Sequence, residues 1–164
     1  MLVFIDTEVD VDSQRVQDYG AVREDGAVLH TQSETEFNTF VSACSTLCGH
    51  NILNHDLKYL HLQGDYTYID TLPLSPLLFP KKPYHKLLKD DKLQVDELNN
   101  PVNDSKKSKD LFYDELEAWK SLPEKRKEIY FRLLGGKKEF AGFFKYLSLT
   151  PPSSQVQIGT LIRE

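Results

Sequence analysis

The stretch Leu2-Val-Phe-Ile-Asp-Thr-Glu-Val9 carries the most information about the fold of this chain. It begins with apolar residues and ends in carboxylates, which is typical of a buried central strand whose end carries chemistry. On a strand, residues i and i+2 face the same side, so Asp6 and Glu8 can converge on one point. Two carboxylates held together repel each other unless cations lie between them. The stretch therefore predicts a strand that ends at a cation site.

The pattern beyond this strand predicts an α/β order with a mixed sheet. Glu24-Asp25-Gly26 is a hairpin signal between two further strands, and apolar residues recur at helical spacing from residue 35 onward. Asn100 and Pro101 look like the N-cap and first residue of a long helix. We expect short helical pieces between prolines in residues 73–97. The predicted strands are residues 2–9, 15–23, 27–31, 46–51 and 66–72, and the predicted helices are residues 35–44, 52–62, 101–119, 124–134 and 138–147.

Length and composition exclude several classes of protein. The 164 residues, 40% of them hydrophobic, are enough for one sizeable core but too few for two ordinary domains. We expect a domain over residues 1–149, then a linker and the start of a following segment over residues 150–164. No signal peptide or membrane span can be drawn, so we expect a cytoplasmic protein with no membrane partner. Cys44 and Cys48 are too few for a zinc site, and we expect them to be reduced.

Charge is distributed unevenly along the chain, whose net charge is −5. Residues 81–109 contain eight lysines and five acidic residues, whereas the remainder has 12 basic and 20 acidic residues. A locally basic face on an acidic body suits a protein that gathers carboxylates for metal and binds phosphates with a separate patch. A solvated lysine-rich surface explains the charge pattern equally well.

Three motifs resemble those of the DEDD, or DnaQ-like, 3′–5′ exonucleases, a family that includes RNase T. Phe4-Ile-Asp-Thr-Glu8 matches the first motif, and the segment from Gly49 to Leu60 matches the second through Asn51 and Asp56. Residues 99–105, followed by Lys109-Asp-Leu-Phe112, match the third motif through Asp104. Ile69-Asp-Thr-Leu72 looks like the strand that precedes the third motif in this family. The resemblance covers about residues 1–120.

This resemblance implies an RNase H-like three-layer fold with a mixed five-stranded sheet flanked by helices. It implies hydrolysis of nucleic acid, DNA in preference, from a free 3′ end to nucleoside monophosphates. The expected cofactors are two Mg²⁺ or Mn²⁺ ions, and their expected ligands are Asp6, Glu8, Asp56 and Asp104. The expected nucleic-acid contacts are Thr7, His50, Asn51, Lys82, Lys86 and Lys106.

The general base of the family has no clear counterpart in this chain. One branch of the family has a His five residues before the last Asp, where this chain has Asn99. Asparagine cannot accept a proton at neutral pH, so the activity is expected to be weak unless another group, such as His85 or His55, substitutes. His85 and Asp90 are also five apart and give an alternative alignment. We favour Asp104, because a helix with the Asp-Leu-Phe sequence follows it.

A second resemblance concerns Ser75-Pro-Leu-Leu-Phe-Pro80, Tyr84-His-Lys-Leu87 and Glu97-Leu-Asn-Asn-Pro101. These phrases are similar to an exonuclease module found ahead of a RecQ-type DNA helicase in some bacteria, which implies fusion to a C-terminal helicase. Two other functions remain open. Asn99 suits a non-enzymatic module that holds a nucleic-acid end for the helicase. Asp6 could instead be the nucleophile of a phosphatase, although such enzymes prefer a second Asp where this chain has Glu8.

Overall fold

The computed structural model of the chain describes residues 1–10, 12–87, 100–149 and 159. Its sheet has five strands, which are β1 (Leu2–Asp10), β2 (Arg15–Arg23), β3 (Val28–Thr31), β4 (Thr46–Gly49) and β5 (Thr67–Asp70). The strand order is β3-β2-β1-β4-β5. β1, β4 and β5 run parallel to one another, while β2 pairs antiparallel with β1 and β3. The predicted mixed five-stranded sheet of an RNase H-like α/β fold is therefore confirmed.

The helices cover both faces of this sheet because β1 is apolar on both sides. Leu2 and Phe4 pack into one core, and Val3 and Ile5 pack into another. The first core is covered by α2, α3, α4 and α5, and the second by α1 and the loop after β4. The helices are α1 (Glu34–Val41), α2 (Thr71–Leu78), α3 (Pro101–Lys120), α4 (Glu124–Leu134) and α5 (Lys138–Tyr146).

One predicted element is wrong and one ends earlier than predicted, and Asp70 contacts both segments. Residues 52–62 do not form the predicted helix but a turn followed by a short 3₁₀ helix, Asp56–Lys58. The Asp70 carboxylate accepts hydrogen bonds from the backbone N–H groups of Asn51 at 2.8 Å and Leu53 at 3.2 Å. It also accepts one from Leu72 at 3.0 Å, which caps α2 and ends β5 two residues early. Asp70 thus ends β5 and also ties the segment after β4, 17 to 19 residues earlier in the chain, to that end.

Smaller differences concern the ends of elements. Ser33 caps α1, which ends at Val41 rather than at residue 44. Part of the proline-punctuated region does form a helix, α2, with Pro76 inside it. Asn100 and Pro101 begin α3 as predicted. The expected linker and start of a following segment, residues 150–164, lie outside the described residues except for residue 159.

One buried acid, Glu115 of α3, lies in the core among apolar side chains and has 0% of its surface exposed. Burial raises its pKa to about 9, and the charge of Asp70 adds to this shift. Neither carboxyl oxygen has a hydrogen-bond partner within the described part of the chain. Glu115 is therefore a neutral carboxylic acid at physiological pH.

The first turn of α3 lies directly on β2 at Gly20. A Cβ atom on Gly20 would overlap the backbone of Pro101 and Val102, and the Ser105 hydroxyl donates a hydrogen bond to the Gly20 carbonyl at 3.1 Å. Only glycine permits this approach of helix to strand. Gly20 is paired with Asp6 of β1, so the same contact sets the start of α3 opposite the acidic end of β1.

Replacing Gly20 with alanine should push the first turn of α3 away from the sheet. We expect Gly20→Ala to lower the free energy of unfolding by about 1–3 kcal/mol, the usual cost of overpacking, as measured by urea denaturation. Gly136→Ala is the matched control, because nothing lies within 4 Å of a Cβ there. Equal stabilities of the two variants would contradict this account of Gly20.

Candidate metal centre

Three carboxylates meet where β1 emerges from the sheet. Asp6 and Glu8 face the same side of β1, and Asp104 comes from the first turn of α3. One oxygen from each lies within 4.8 Å of the others, and all three residues are half-buried. Oxygen donors of this kind suit Mg²⁺ or Mn²⁺ better than softer metals. These three predicted ligands are therefore brought together in an arrangement that fits a divalent cation.

A lysine contacts this cluster. The Nζ atom of Lys107 lies 3.1 Å from Oδ1 of Asp104, and 31% of the lysine side chain is exposed. Lys107 is one turn along α3 from Asp104, so helical geometry brings the two side chains together. The predicted phosphate contact Lys106 is exposed instead. The phosphate contact of Lys106 stays a prediction. Lys107 was not among the predicted site residues, although its i, i+3 spacing from Asp104 was a signal available in the sequence.

The fourth predicted ligand, Asp56, lies beside this cluster without belonging to it. Its side chain is almost fully buried, and its Oδ1 atom accepts a hydrogen bond from the Thr7 hydroxyl at 2.8 Å. Thr7 stands between Asp6 and Glu8 on β1 and faces the opposite side of the strand. Thr7, predicted to contact nucleic acid, is 3% exposed and connects Asp56 to β1. Asp56 is thereby fixed next to the carboxylate cluster.

Two histidines border these acids. The Nδ1 atom of His55 is 3.8 Å from Oδ2 of Asp56, and this contact raises the pKa of the His55 ring, with a smaller contribution from Glu8. The Nδ1 atom of His50 is 2.9 Å from the Thr71 hydroxyl. Burial lowers the pKa of His50, while the charges of Asp104 and Asp56 oppose that shift. Both imidazoles therefore lie within electrostatic reach of the carboxylates.

The remaining predicted site residues lie around this centre. Asn51 has a left-handed backbone with φ of 66°, and its N–H donates to Asp70. The Nδ1 atom of His85 is 2.9 Å from the Ser75 hydroxyl. The Lys82 ammonium lies 4.3 Å from the centre of the Phe79 ring, and Lys86 is exposed. Asn99 lies outside the described residues.

Sequence reasoning gave no role to Asp70, which organises the loop that carries His50, Asn51 and Asp56. Burial raises the pKa of its carboxyl, and the three backbone N–H groups that it accepts from lower that pKa. Its position at the end of a predicted strand, directly before Thr-Leu, was the signal available in the sequence.

Comparisons with protein-family models, with curated proteins and with solved structures found no match to this chain. Within residues 1–10, 12–87 and 100–149, none of the helices combines the length and the apolar composition that crossing a membrane requires. The candidate site therefore has to be judged on its own geometry.

Replacing Lys107 with glutamine should strengthen binding of a divalent cation. The ammonium lies beside Oδ1 of Asp104 and would compete with a bound cation for the same negative charge. We expect Lys107→Gln to tighten Mn²⁺ binding about two- to fivefold, the scale of a half-exposed ion pair, in a calorimetric titration. Lys106→Gln is the control, and it should leave the affinity almost unchanged. Weaker binding by Lys107→Gln would show that Lys107 does not compete with the metal.

Proposed function

We propose that this chain is a metal-dependent 3′–5′ exonuclease of the DEDD type, which hydrolyses DNA in preference to RNA and releases nucleoside monophosphates. The observation that carries the proposal is the meeting of Asp6, Glu8 and Asp104 within 4.8 Å at the end of a central strand. Asp6 and Glu8 were expected from the first motif, and Asp104 was expected from the third motif, which lies far along the chain. Metal binding for this reaction accounts for the position of the three carboxylates, so no other role is proposed for them.

In this proposal each residue of the site has a separate role. Two Mg²⁺ or Mn²⁺ ions, held by the trio with Asp56, would supply an activated water and neutralise charge on the leaving 3′ oxygen. Thr7 holds Asp56 in place through its hydroxyl. Lys107, once released from Asp104, can reach a phosphate oxygen of the bound strand. His50 and His55 are the imidazoles nearest the carboxylates and can move a proton at the site.

The wider context of the protein belongs to the same proposal. We place the protein in the cytoplasm, with a free nucleic-acid 3′ end as its partner and a C-terminal helicase in the full protein. The uneven charge of the chain supports a nucleic-acid partner, because eight lysines gather in residues 81–109 while Asp6 and Glu8 lie on β1.

A second candidate function is a module that binds nucleic-acid ends without cutting them. Two observations favour it. Asn99 stands where one branch of the family has its base, and Asp56 bonds to Thr7 beside the trio rather than within it. A phosphatase that uses Asp6 as nucleophile has no comparable support, because Glu8 occupies the position of its second Asp.

The decisive experiment incubates a 5′-labelled oligonucleotide with the protein and Mn²⁺. We expect a ladder that shortens from the 3′ end with release of nucleoside monophosphates. Asp6→Asn should lower the rate by about a hundredfold or more, because it removes a charged metal ligand. Asp110→Asn, at an exposed position of α3, should leave the rate unchanged. Binding without cleavage would favour the end-binding module, and phosphate release from a small phosphomonoester would favour the phosphatase.

A separate prediction concerns the missing base. Asn99→His should raise the rate of cleavage, because histidine can accept a proton and its pKa of about 6.5 is close to working pH. The unmodified protein should gain steadily in rate with pH, as hydroxide replaces a side-chain base. The measurement is the pH–rate profile of both proteins. Loss of activity in His85→Ala, together with no gain in Asn99→His, would assign the base to His85.

A further inference from the structure

Residues 79–87, which follow α2, form an exposed loop that we call the lysine–tyrosine loop. It contains Lys81, Lys82, Lys86 and Tyr84 and no acidic residue. Tyr84 is 77% exposed, more than any other large hydrophobic side chain in the described part of the chain. The loop therefore presents an aromatic ring among positive charges, whereas the candidate metal centre is acidic.

The loop is anchored although its side chains are exposed. The Phe79 N–H donates to the Ser75 carbonyl at 2.8 Å, and the Lys82 N–H donates to the Phe79 carbonyl at 3.0 Å. The His85 ring contacts the buried Ser75 hydroxyl at 2.9 Å. Pro80 and Pro83 further restrict the backbone between these anchors. Tyr84 is consequently exposed on a loop whose backbone is restricted. The loop therefore loses less conformational entropy when a ligand binds to Tyr84.

The anchors also place the loop beside the candidate metal centre. Ser75, which contacts His85, lies one turn along α2 from Thr71, which contacts His50. The main chain of His85 lies close enough to the His50 ring to raise the pKa of that ring. The charges of Asp104 and Asp56 raise the same pKa. His50 therefore lies between the lysine–tyrosine loop and the carboxylates.

We propose that the lysine–tyrosine loop binds the unpaired 3′-terminal segment of a nucleic-acid strand, with Tyr84 stacked on a base and Lys81 and Lys86 against phosphates. The inference rests on the proposed function, because the loop is taken to lead the strand to the carboxylates. Lys82 contributes less, since its ammonium already contacts the Phe79 ring.

The chemistry of the loop selects a single strand. An aromatic ring reaches the face of a base only where that base is unstacked, which excludes the interior of a duplex. Stacking and phosphate contacts tolerate any sequence, because every base has a flat face and every linkage has a charge. An acidic protein partner would also meet the lysines, but it offers no flat aromatic base for the exposed ring of Tyr84.

The test measures binding of a 5′-fluorescein oligothymidylate by fluorescence anisotropy with the full chain, at low salt and with Ca²⁺ as the divalent ion. We expect Tyr84→Ala to weaken binding about fivefold to a hundredfold, the usual range for loss of one stacked base. Tyr84→Phe, which keeps the ring, should bind like the unmodified protein. Lys86→Ala should weaken binding and reduce its dependence on salt.

Substrate controls separate stacking from charge. On a strand of the same length whose sugars carry no bases, the unmodified protein and Tyr84→Ala should bind equally, because only phosphate contacts remain. On a blunt duplex the two proteins should also be equal. The inference is overturned if Tyr84→Ala binds oligothymidylate within twofold of the unmodified protein. It is also overturned if the substitution weakens binding to the strand without bases by the same factor as binding to oligothymidylate.

Failure of this inference can be told apart from failure of the proposed function, because binding and cleavage are measured separately. Weakened binding by Tyr84→Ala without any metal-dependent cleavage would support the loop and refute hydrolysis. Cleavage that needs Asp6, with binding indifferent to Tyr84, would refute the loop alone.

Discussion

The contact between the first turn of α3 and Gly20 is the constraint on which the site depends. It joins two backbones with no side chain between them, and glycine alone permits that distance. Because Gly20 is the partner of Asp6 in the sheet, the helix start is held opposite the acidic end of β1. Asp104 is thereby brought to Asp6 and Glu8 although about a hundred residues separate them.

A second constraint lies on the other side of β1, where buried polar groups form hydrogen bonds with one another. Thr7 bonds Asp56, and Asp70 gathers the backbone N–H groups of Asn51 and Leu53. Burying an ionised carboxylate without hydrogen-bond donors costs free energy, and Asp56 and Asp70 each accept hydrogen bonds that offset this cost. The resulting network fixes the loop after β4 and sets two histidines beside the acids. The acidic centre is thus supported by one direct backbone contact and by one hydrogen-bonded network.

Most of the fold follows from local pattern in the sequence. The two-sided apolar run of β1, the hairpin at Gly26 and the amphipathic helices after residue 100 were all predictable, because each depends on residues close in sequence. The failures have long-range causes. Residues 52–62 have helical spacing, but the long-range hydrogen bonds of Leu53 to Asp70 and of Asp56 to Thr7 hold this segment as a turn and a short 3₁₀ helix. The three motifs placed Asp6, Glu8 and Asp104 together, whereas the separate position of Asp56 depends on the side of β1 that Thr7 faces.

The neutral Glu115 has a consequence for how the chain folds. Its carboxyl ionises with an ordinary pKa near 4.5 when exposed to water, and with a pKa of about 9 inside the core. Between these two values the unfolded chain gives up a proton that the folded chain keeps, so folding takes up a proton. The folded state therefore loses stability as pH rises through this window, because the unfolded chain is the more deprotonated of the two states. A rise in pH thus weakens the packing of α3, the helix that carries both Glu115 and Asp104.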